Sequence, residues 1–183
     1  GKADYVNTGQ WSAKAIAEAQ KYCEVNVAAS SEATRFTTVP AQALWQRSPA
    51  AAYLHYTPNE TIGGVEYGWV PEVGATPLVA DMSSTILSRP IDVNRFGVIY
   101  AGAQKNIGPA GLVLVIVRRE LLGRPDPRTP AVLDWTLQAK NASMYNTPPT
   151  YSIYLAGLVF QWLKAQGGLA AMGEVNRRKA EAL

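Results

Sequence analysis

The sequence predicts an α/β layered domain with a largely parallel sheet. Two patterns lead there. Short apolar runs rich in β-branched residues, Val98-Ile99-Tyr100 and Leu112 to Val117 among them, have the length and continuity of strands buried on both faces. Stretches of helical period lie before and after these runs, so strands and helices alternate along the chain. At 183 residues, 48% hydrophobic and 17% charged, the chain is long enough for one substantial core.

The elements follow in order. Asp4-Tyr5-Val6 reads as a strand. Thr8 is placed to cap a helix from Gln10 to Cys23, with Lys14, Glu18 and Lys21 on its polar face and Ile16 and Cys23 on its buried side. Glu24 to Ala28 is a short strand; a loop with Ser30, Ser31 and Thr34 follows, then a helical turn within Pro40 to Gln46. Ala51 to Tyr56 is a strand ending in Thr57-Pro58-Asn59-Glu60-Thr61, and Gly63 to Tyr67 marks a turn with a small extended segment. Pro77 to Ser84 is a buried strand with Asp81 toward its C-terminal end. The Val98 and Leu112 strands come next. Arg118 to Leu122 begins a helix that Gly123-Arg124-Pro125 breaks, and loops fill Asp126 to Pro149. Thr150 is placed to cap a long helix, Tyr151 to Gln166, with Leu155, Leu158, Val159, Trp162 and Leu163 on its apolar side. Gly167-Gly168 ends it, and Met172 to Leu183 carries a charged helical pattern.

Composition narrows the function classes. A net charge of +3 is spread along the chain, and its one basic cluster, Arg177-Arg178-Lys179, reads as a solvated helix face, so nucleic acid is not an expected partner. The single cysteine, Cys23, rules out an intramolecular disulfide and fits a reducing, cytoplasmic compartment. No apolar run is long enough to cross a bilayer, the first residues do not read as a signal peptide, and no membrane partner is expected. The lone histidine, His55, has no cysteine cluster to join, so no metal site is expected. No Gly-x-Gly-x-x-Gly follows a strand, which argues against a nucleotide-binding α/β domain. Opening on Gly1 and stopping inside a helical pattern, the chain reads as a piece of a longer protein.

The most informative stretch runs from Ala101 to Gly111, between two apolar strands. It presents one lysine, Lys105, in a turn of small residues. A lysine that forms a Schiff base needs such neighbours, because its nitrogen must meet a flat cofactor unobstructed. Partial desolvation would also keep the amine nucleophilic near neutrality. The residues alone leave open a lysine that simply points outward from a glycine-rich hairpin.

Ligands of open α/β sheets gather beyond the strand C-terminal ends. Asp81 and Lys105 fall at such ends, Trp11 follows the first strand, and Thr61 follows the Tyr53 strand. Pyridoxal phosphate calls for this set: an amine for its aldehyde, a carboxylate for its pyridine nitrogen, an aromatic platform, and hydrogen-bond donors for its phenolic oxygen and phosphate. Each residue taken singly has a plainer reading: Asp81 as a turn cap, Trp11 as core, Thr61 as a turn residue.

The joint motifs resemble the phosphoserine aminotransferases, class V pyridoxal-phosphate enzymes of fold type I. The resemblance spans essentially the whole chain. It is carried by Ala3 to Val6 with Gly9-Gln10-Trp11-Ser12-Ala13, by His55 to Gly64, by Val79 to Ser84, by Tyr100 to Gly111 and by Met144 to Thr150. Gln104 stands before the lysine where cysteine desulfurases and other class V relatives have histidine. The resemblance implies a three-layer α/β/α large domain on a mixed, mostly parallel sheet, truncated at both ends, with residues 1–183 forming the pyridoxal-phosphate-binding domain. It implies that Lys105 is the Schiff-base lysine and proton shuttle, Asp81 the pyridinium partner, Trp11 the stacking residue, Thr61 the hydroxyl near the phenolic oxygen and Gln104 a phosphate ligand. Asn146 and Thr147 match a pair that reaches across a homodimer interface to the neighbour's cofactor phosphate. The implied reaction is reversible amino transfer between L-glutamate and 3-phosphohydroxypyruvate, with a related substrate in bacterial vitamin B6 synthesis. Absent from the sequence are the family's N-terminal histidine-arginine segment, its glycine-arginine phosphate loop and its C-terminal carboxylate-binding arginine, so weak cofactor binding and impaired turnover are expected of this piece. An inert α/β core and another class V pyridoxal-phosphate enzyme are the alternatives.

Overall fold

The computed structural model describes residues 1–183. Its strands are β1 (Lys2–Asn7), β2 (Glu24–Ser30), β3 (Ala51–Tyr56), β4 (Asn59–Glu60), β5 (Val65–Glu66), β6 (Leu78–Asp81), β7 (Val98–Gly102) and β8 (Val113–Val117). Its helices are α1 (Gln10–Ala19), α2 (Trp135–Lys140), α3 (Thr150–Ala165) and α4 (Gly168–Glu181). Six strands form one sheet in the order β2-β1-β3-β6-β7-β8; β4 and β5 make a separate two-stranded hairpin. Every pairing in the large sheet is parallel except β7 with β8. Chain order reverses around β1, which has β2 on one side and β3 on the other.

Strand alternation sorts the side chains onto two faces. Val6, Leu54, Tyr56, Leu78, Ala80, Ile99 and Ala101 point to the main core, which Met82, Ile86, Phe96, Ile107 and Ala156 of α3 complete. On the other face Ala3 and Tyr5 pack against Ile16 of α1. Helices therefore cover both faces, and the expected three-layer α/β/α arrangement on a mostly parallel sheet is found.

Several expectations are corrected. The first helix stops at Ala19, because residues 20–23 leave it in a tight turn in which Tyr22 and Cys23 both donate to the Ala19 carbonyl. Cys23 thus lies past the helix, half-buried beside the smaller cluster. Thr8 does not cap: Gly9 holds the N-cap position, and the buried Thr8 hydroxyl has no partner. Pro149 holds that position before α3, and Thr150 donates instead to the Pro148 carbonyl. Only Ala156 and Leu163 of α3 are buried; Leu158 and Trp162 face outward, together with Tyr151 and Tyr154. The Leu112 run forms an edge strand, paired on one side alone, so Val113, Val115 and Ile116 are exposed. The stretch expected to be loop between Asp126 and Pro149 holds α2, capped by the Asp134 carboxylate accepting from Thr136 N–H at 2.8 Å. The helix expected from Arg118 is a single 3-10 turn, Arg119–Leu121. α3 does end at Gly167, whose φ of 93° suits glycine.

Leu54 tests the packing. It is fully buried at the centre of the sheet. Leu54→Ala is expected to lower the unfolding free energy by roughly 2–5 kcal/mol in urea titration. A loss under about 1 kcal/mol would mean the β3 face is not packed as described.

Candidate active site

Parallel pairing brings the C-terminal ends of β1, β3, β6 and β7 to one edge of the sheet. Trp11 sits in the first turn of α1, just after β1. Thr61 follows β4, beyond the end of β3. Asp81 is the last residue of β6, and Lys105 lies in the turn after β7. Each comes from a different strand end.

One contact joins two far-separated members, and a short chain of bonds anchors a third. Lys105 Nζ donates to Thr61 Oγ1 at 2.7 Å. Asp81 Oδ1 accepts from the Ser83 N–H at 3.0 Å and from the Ser83 hydroxyl at 2.7 Å. The same hydroxyl oxygen accepts the Gly102 N–H at 3.0 Å. Asp81 is thus fastened through Ser83 to the last residue of β7, three positions before Lys105. The carboxylate and the amine lie at one edge of the sheet.

A largely apolar cavity of about 800 Å³ opens on the sheet face that carries α1. Trp11, Asp81, His55, Tyr5, Tyr53 and Tyr100 are among its lining residues; Lys105 and Thr61 are not. Trp11 is partly exposed there, and the Lys14 ammonium lies 4.7 Å from its ring centroid, a cation–π contact. Lys105 is exposed, which corrects the expectation of a partly desolvated amine: the small residues around it leave space rather than cover it. Gln104 is exposed beside it. Asn146 and Thr147 are exposed in the loop before α3, where Asn146 Nδ2 donates to the Thr147 carbonyl at 3.4 Å. Neither hydrogen-bonds to any other residue of the predicted set.

Behind Asp81 lies an aromatic row. His55 is buried, stacks on Tyr5 with ring centroids 4.8 Å apart, and places Nε2 2.9 Å from the Tyr100 hydroxyl. Tyr100 is the cross-strand partner of Asp81. Burial pushes His55 down to about 4, against the opposing pull of the Asp81 charge. Burial pushes the Tyr100 phenol up, and the Asp81 charge adds to it. Both groups are therefore neutral at physiological pH.

The family model for class-V aminotransferases matches residues 1–183. The chain belongs to the class-V aminotransferase family. It is 60% identical over 183 residues to the phosphoserine aminotransferase of Pseudomonas syringae pv. syringae, covering all of this chain and 51% of that protein. It superposes on the phosphoserine aminotransferase of Bacillus circulans subsp. alkalophilus with a TM-score of 0.95 at 47% identity, over 98% of this chain and 50% of that one. The enzyme from Trichomonas vaginalis, solved with PLP bound, gives a TM-score of 0.90 at 43% identity over 98% of this chain and 51% of that one. This class-V chain thus spans about half the length of the curated relatives it matches.

Sequence reasoning missed the residues that hold the set together. Ser83 was legible only as part of a Met-Ser-Ser run, although a serine two residues after a strand-terminal aspartate is a recurrent local acceptor–donor pair. Glu60 lies within the His55 to Gly64 motif but reads locally as one residue of a turn, so nothing in the sequence marks it as buried. Tyr100 gave no sequence signal.

His55 is the chain's one histidine, so its ring resonance is unambiguous. The fold favours its neutral form. Between the ordinary value of 6.5 and about 4 the unfolded chain binds more protons, so its stabilising contribution is complete above 6.5 and lost as pH falls toward 4. NMR titration is expected to place the ring midpoint near pH 4, and His55→Gln to flatten stability against pH across that window. A midpoint near 6.5 would mean that the ring is solvated.

Proposed function

We propose that this chain is a piece of the cofactor-binding large domain of a pyridoxal-phosphate-dependent phosphoserine aminotransferase. The observation that carries the reading is the fastening of Asp81, through Ser83 and Gly102, beside the Lys105 turn at the C-terminal edge of a parallel sheet. The likeness to phosphoserine aminotransferases supports L-glutamate and 3-phosphohydroxypyruvate as the substrate pair, yielding 2-oxoglutarate and O-phospho-L-serine, a step of serine biosynthesis. A related phosphorylated substrate would place it also in bacterial pyridoxine synthesis. No helix is long and apolar enough to cross a membrane, and the reading carries a cytoplasmic location with it.

The donor set fits pyridoxal phosphate. An accessible amine, Lys105, is already oriented by a hydroxyl, Thr61. A carboxylate, Asp81, and an exposed aromatic face, Trp11, line one cavity. Gln104 offers an amide beside the amine. When bound, the cofactor supplies an electron sink for charge developing at the substrate Cα. The rest is work for side chains of this chain. Thr61 orients Lys105 Nζ, which would meet the cofactor aldehyde. Asp81 would hold a proton on the ring nitrogen, with Ser83 fixing the direction of that carboxylate. Tyr100, neutral and paired with His55, places no competing charge behind it. As a free amine, Lys105 would serve as the base that takes a proton from the substrate Cα.

The homodimer belongs to the same reading. Asn146 and Thr147 make no hydrogen bond to Lys105, Asp81, Thr61 or Trp11, and Met144, Tyr145, Tyr151 and Tyr154, near them along the chain, are exposed. Such an arm with exposed apolar side chains suits an interface that delivers the pair to a neighbour's cofactor phosphate.

Borohydride trapping tests the reading. Added pyridoxal phosphate is expected to give a yellow species that borohydride reduces to a stable adduct on Lys105, by peptide mass mapping. Lys105→Ala is expected to abolish it. L-glutamate is then expected to shift the absorbance to the pyridoxamine form and release 2-oxoglutarate. An adduct on another lysine, or none, contradicts the reading; an adduct that never responds to glutamate favours the inert core.

A further inference from the structure

Three consecutive residues each hold a different part of the site. Asn59 Nδ2 donates to Ser84 Oγ at 2.9 Å, and that hydroxyl donates back to the Asn59 carbonyl at 3.2 Å, gripping the segment just after Asp81. Glu60 accepts the Trp11 N–H at 2.9 Å with one carboxylate oxygen and the Ser12 N–H at 2.8 Å with the other. Thr61 accepts from Lys105.

The middle residue is unusual in its setting. Glu60 is 1% exposed and forms no ion pair with any lysine or arginine. A buried carboxylate needs compensation, and here it comes from the first turn of α1: two otherwise unpaired N–H groups and the positive end of the helix dipole. The chain has been cleared to admit it. A Cβ on Gly9 would lie 2.8 Å from the Glu60 carboxyl carbon, so any larger residue would have to displace the carboxylate. The backbone of Glu60 is fixed as well, since its carbonyl accepts the Gly64 N–H at 2.9 Å and closes the turn that carries Thr61.

We infer that Glu60 is a positioning residue that sets the Trp11 ring relative to the Lys105 amine. Trp11 rides on α1, and Lys105 is oriented by an exposed turn; neither element touches the other through these side chains. Glu60 is the rigid link, with its side chain locked to the Trp11 backbone and its own backbone continuous with Thr61. Ring plane and amine must meet one flat cofactor, so their relative placement decides how well that cofactor is held. The inference rests on the function proposed above.

The test uses Glu60→Gln and, as an independent way to displace the same carboxylate, Gly9→Ala. Glutamine keeps the shape but offers one acceptor oxygen in place of two. In the cofactor-free chain, amide exchange at Trp11 and Ser12 is expected to quicken about tenfold or more in both variants, with the β3 amides unchanged. With pyridoxal phosphate, borohydride is still expected to trap the adduct on Lys105, while the dissociation constant rises about tenfold and the visible circular dichroism of the bound cofactor weakens. A merely structural role would lower thermal stability and leave that dichroism unaltered. Unchanged exchange overturns the inference, and so does faster exchange with normal affinity and dichroism. If the unaltered chain takes up no pyridoxal phosphate, the functional proposal falls first, while the exchange rates still decide whether Glu60 holds Trp11. If Glu60→Gln does not fold, Gly9→Ala decides.

Discussion

The Ser83 hydroxyl is the point on which the site depends. It donates to Asp81 and accepts from Gly102, and so ties the end of one strand to the end of the next. Adjacent parallel strands fix the spacing of their ends along the sheet, but they do not fix the direction of a carboxylate at such an end. The N–H and hydroxyl of Ser83 do that here together, and the turn that presents Lys105 begins where the partner strand stops. The charge-assisted bond is strong because its acceptor is ionised and half-buried. Removing the hydroxyl would leave Asp81 held by the Ser83 N–H alone and cut its tie to Gly102.

Around this contact the molecule separates two tasks. One sheet face builds the main core and carries stability. The other gathers neutral polar and aromatic groups, Tyr5, His55 and Tyr100, behind Asp81. The other charged groups lining that cavity, Lys14 and Glu18, belong to α1 and not to the strands beside the carboxylate. The amine lies at the edge in the open, where a small-residue turn gives access instead of enclosure. The anionic character of Glu60 is absorbed by the first turn of α1, so it does not compete with Asp81.

Much of this was legible in the sequence, for identifiable reasons. Ala51 to Tyr56 is found as read, since its flanking turn signals are sharp. Lys105, Asp81, Trp11 and Thr61 were placed at strand ends by pattern alone, and they occupy one edge. What failed was local capping and exposure. Thr8 looked like a helix cap, but the cap comes from Glu60, distant in sequence, and only the folded β4 turn brings it there. Leu158 and Trp162 looked like core because periodicity reports apolar character and not what covers it. The strand at Val113 looked buried for the same reason, and its place at the sheet edge is a property of topology that a local window does not contain.

The central claim is that Asp81 and Lys105 flank one pyridine ring, and the ring nitrogen itself reports on it most directly. Pyridoxal phosphate labelled with ¹⁵N in the ring, bound to the chain at neutral pH, is predicted to show the shift of a protonated nitrogen that moves to the unprotonated position in Asp81→Asn. An unprotonated signal in the unaltered chain, or one indifferent to that substitution, would contradict the account.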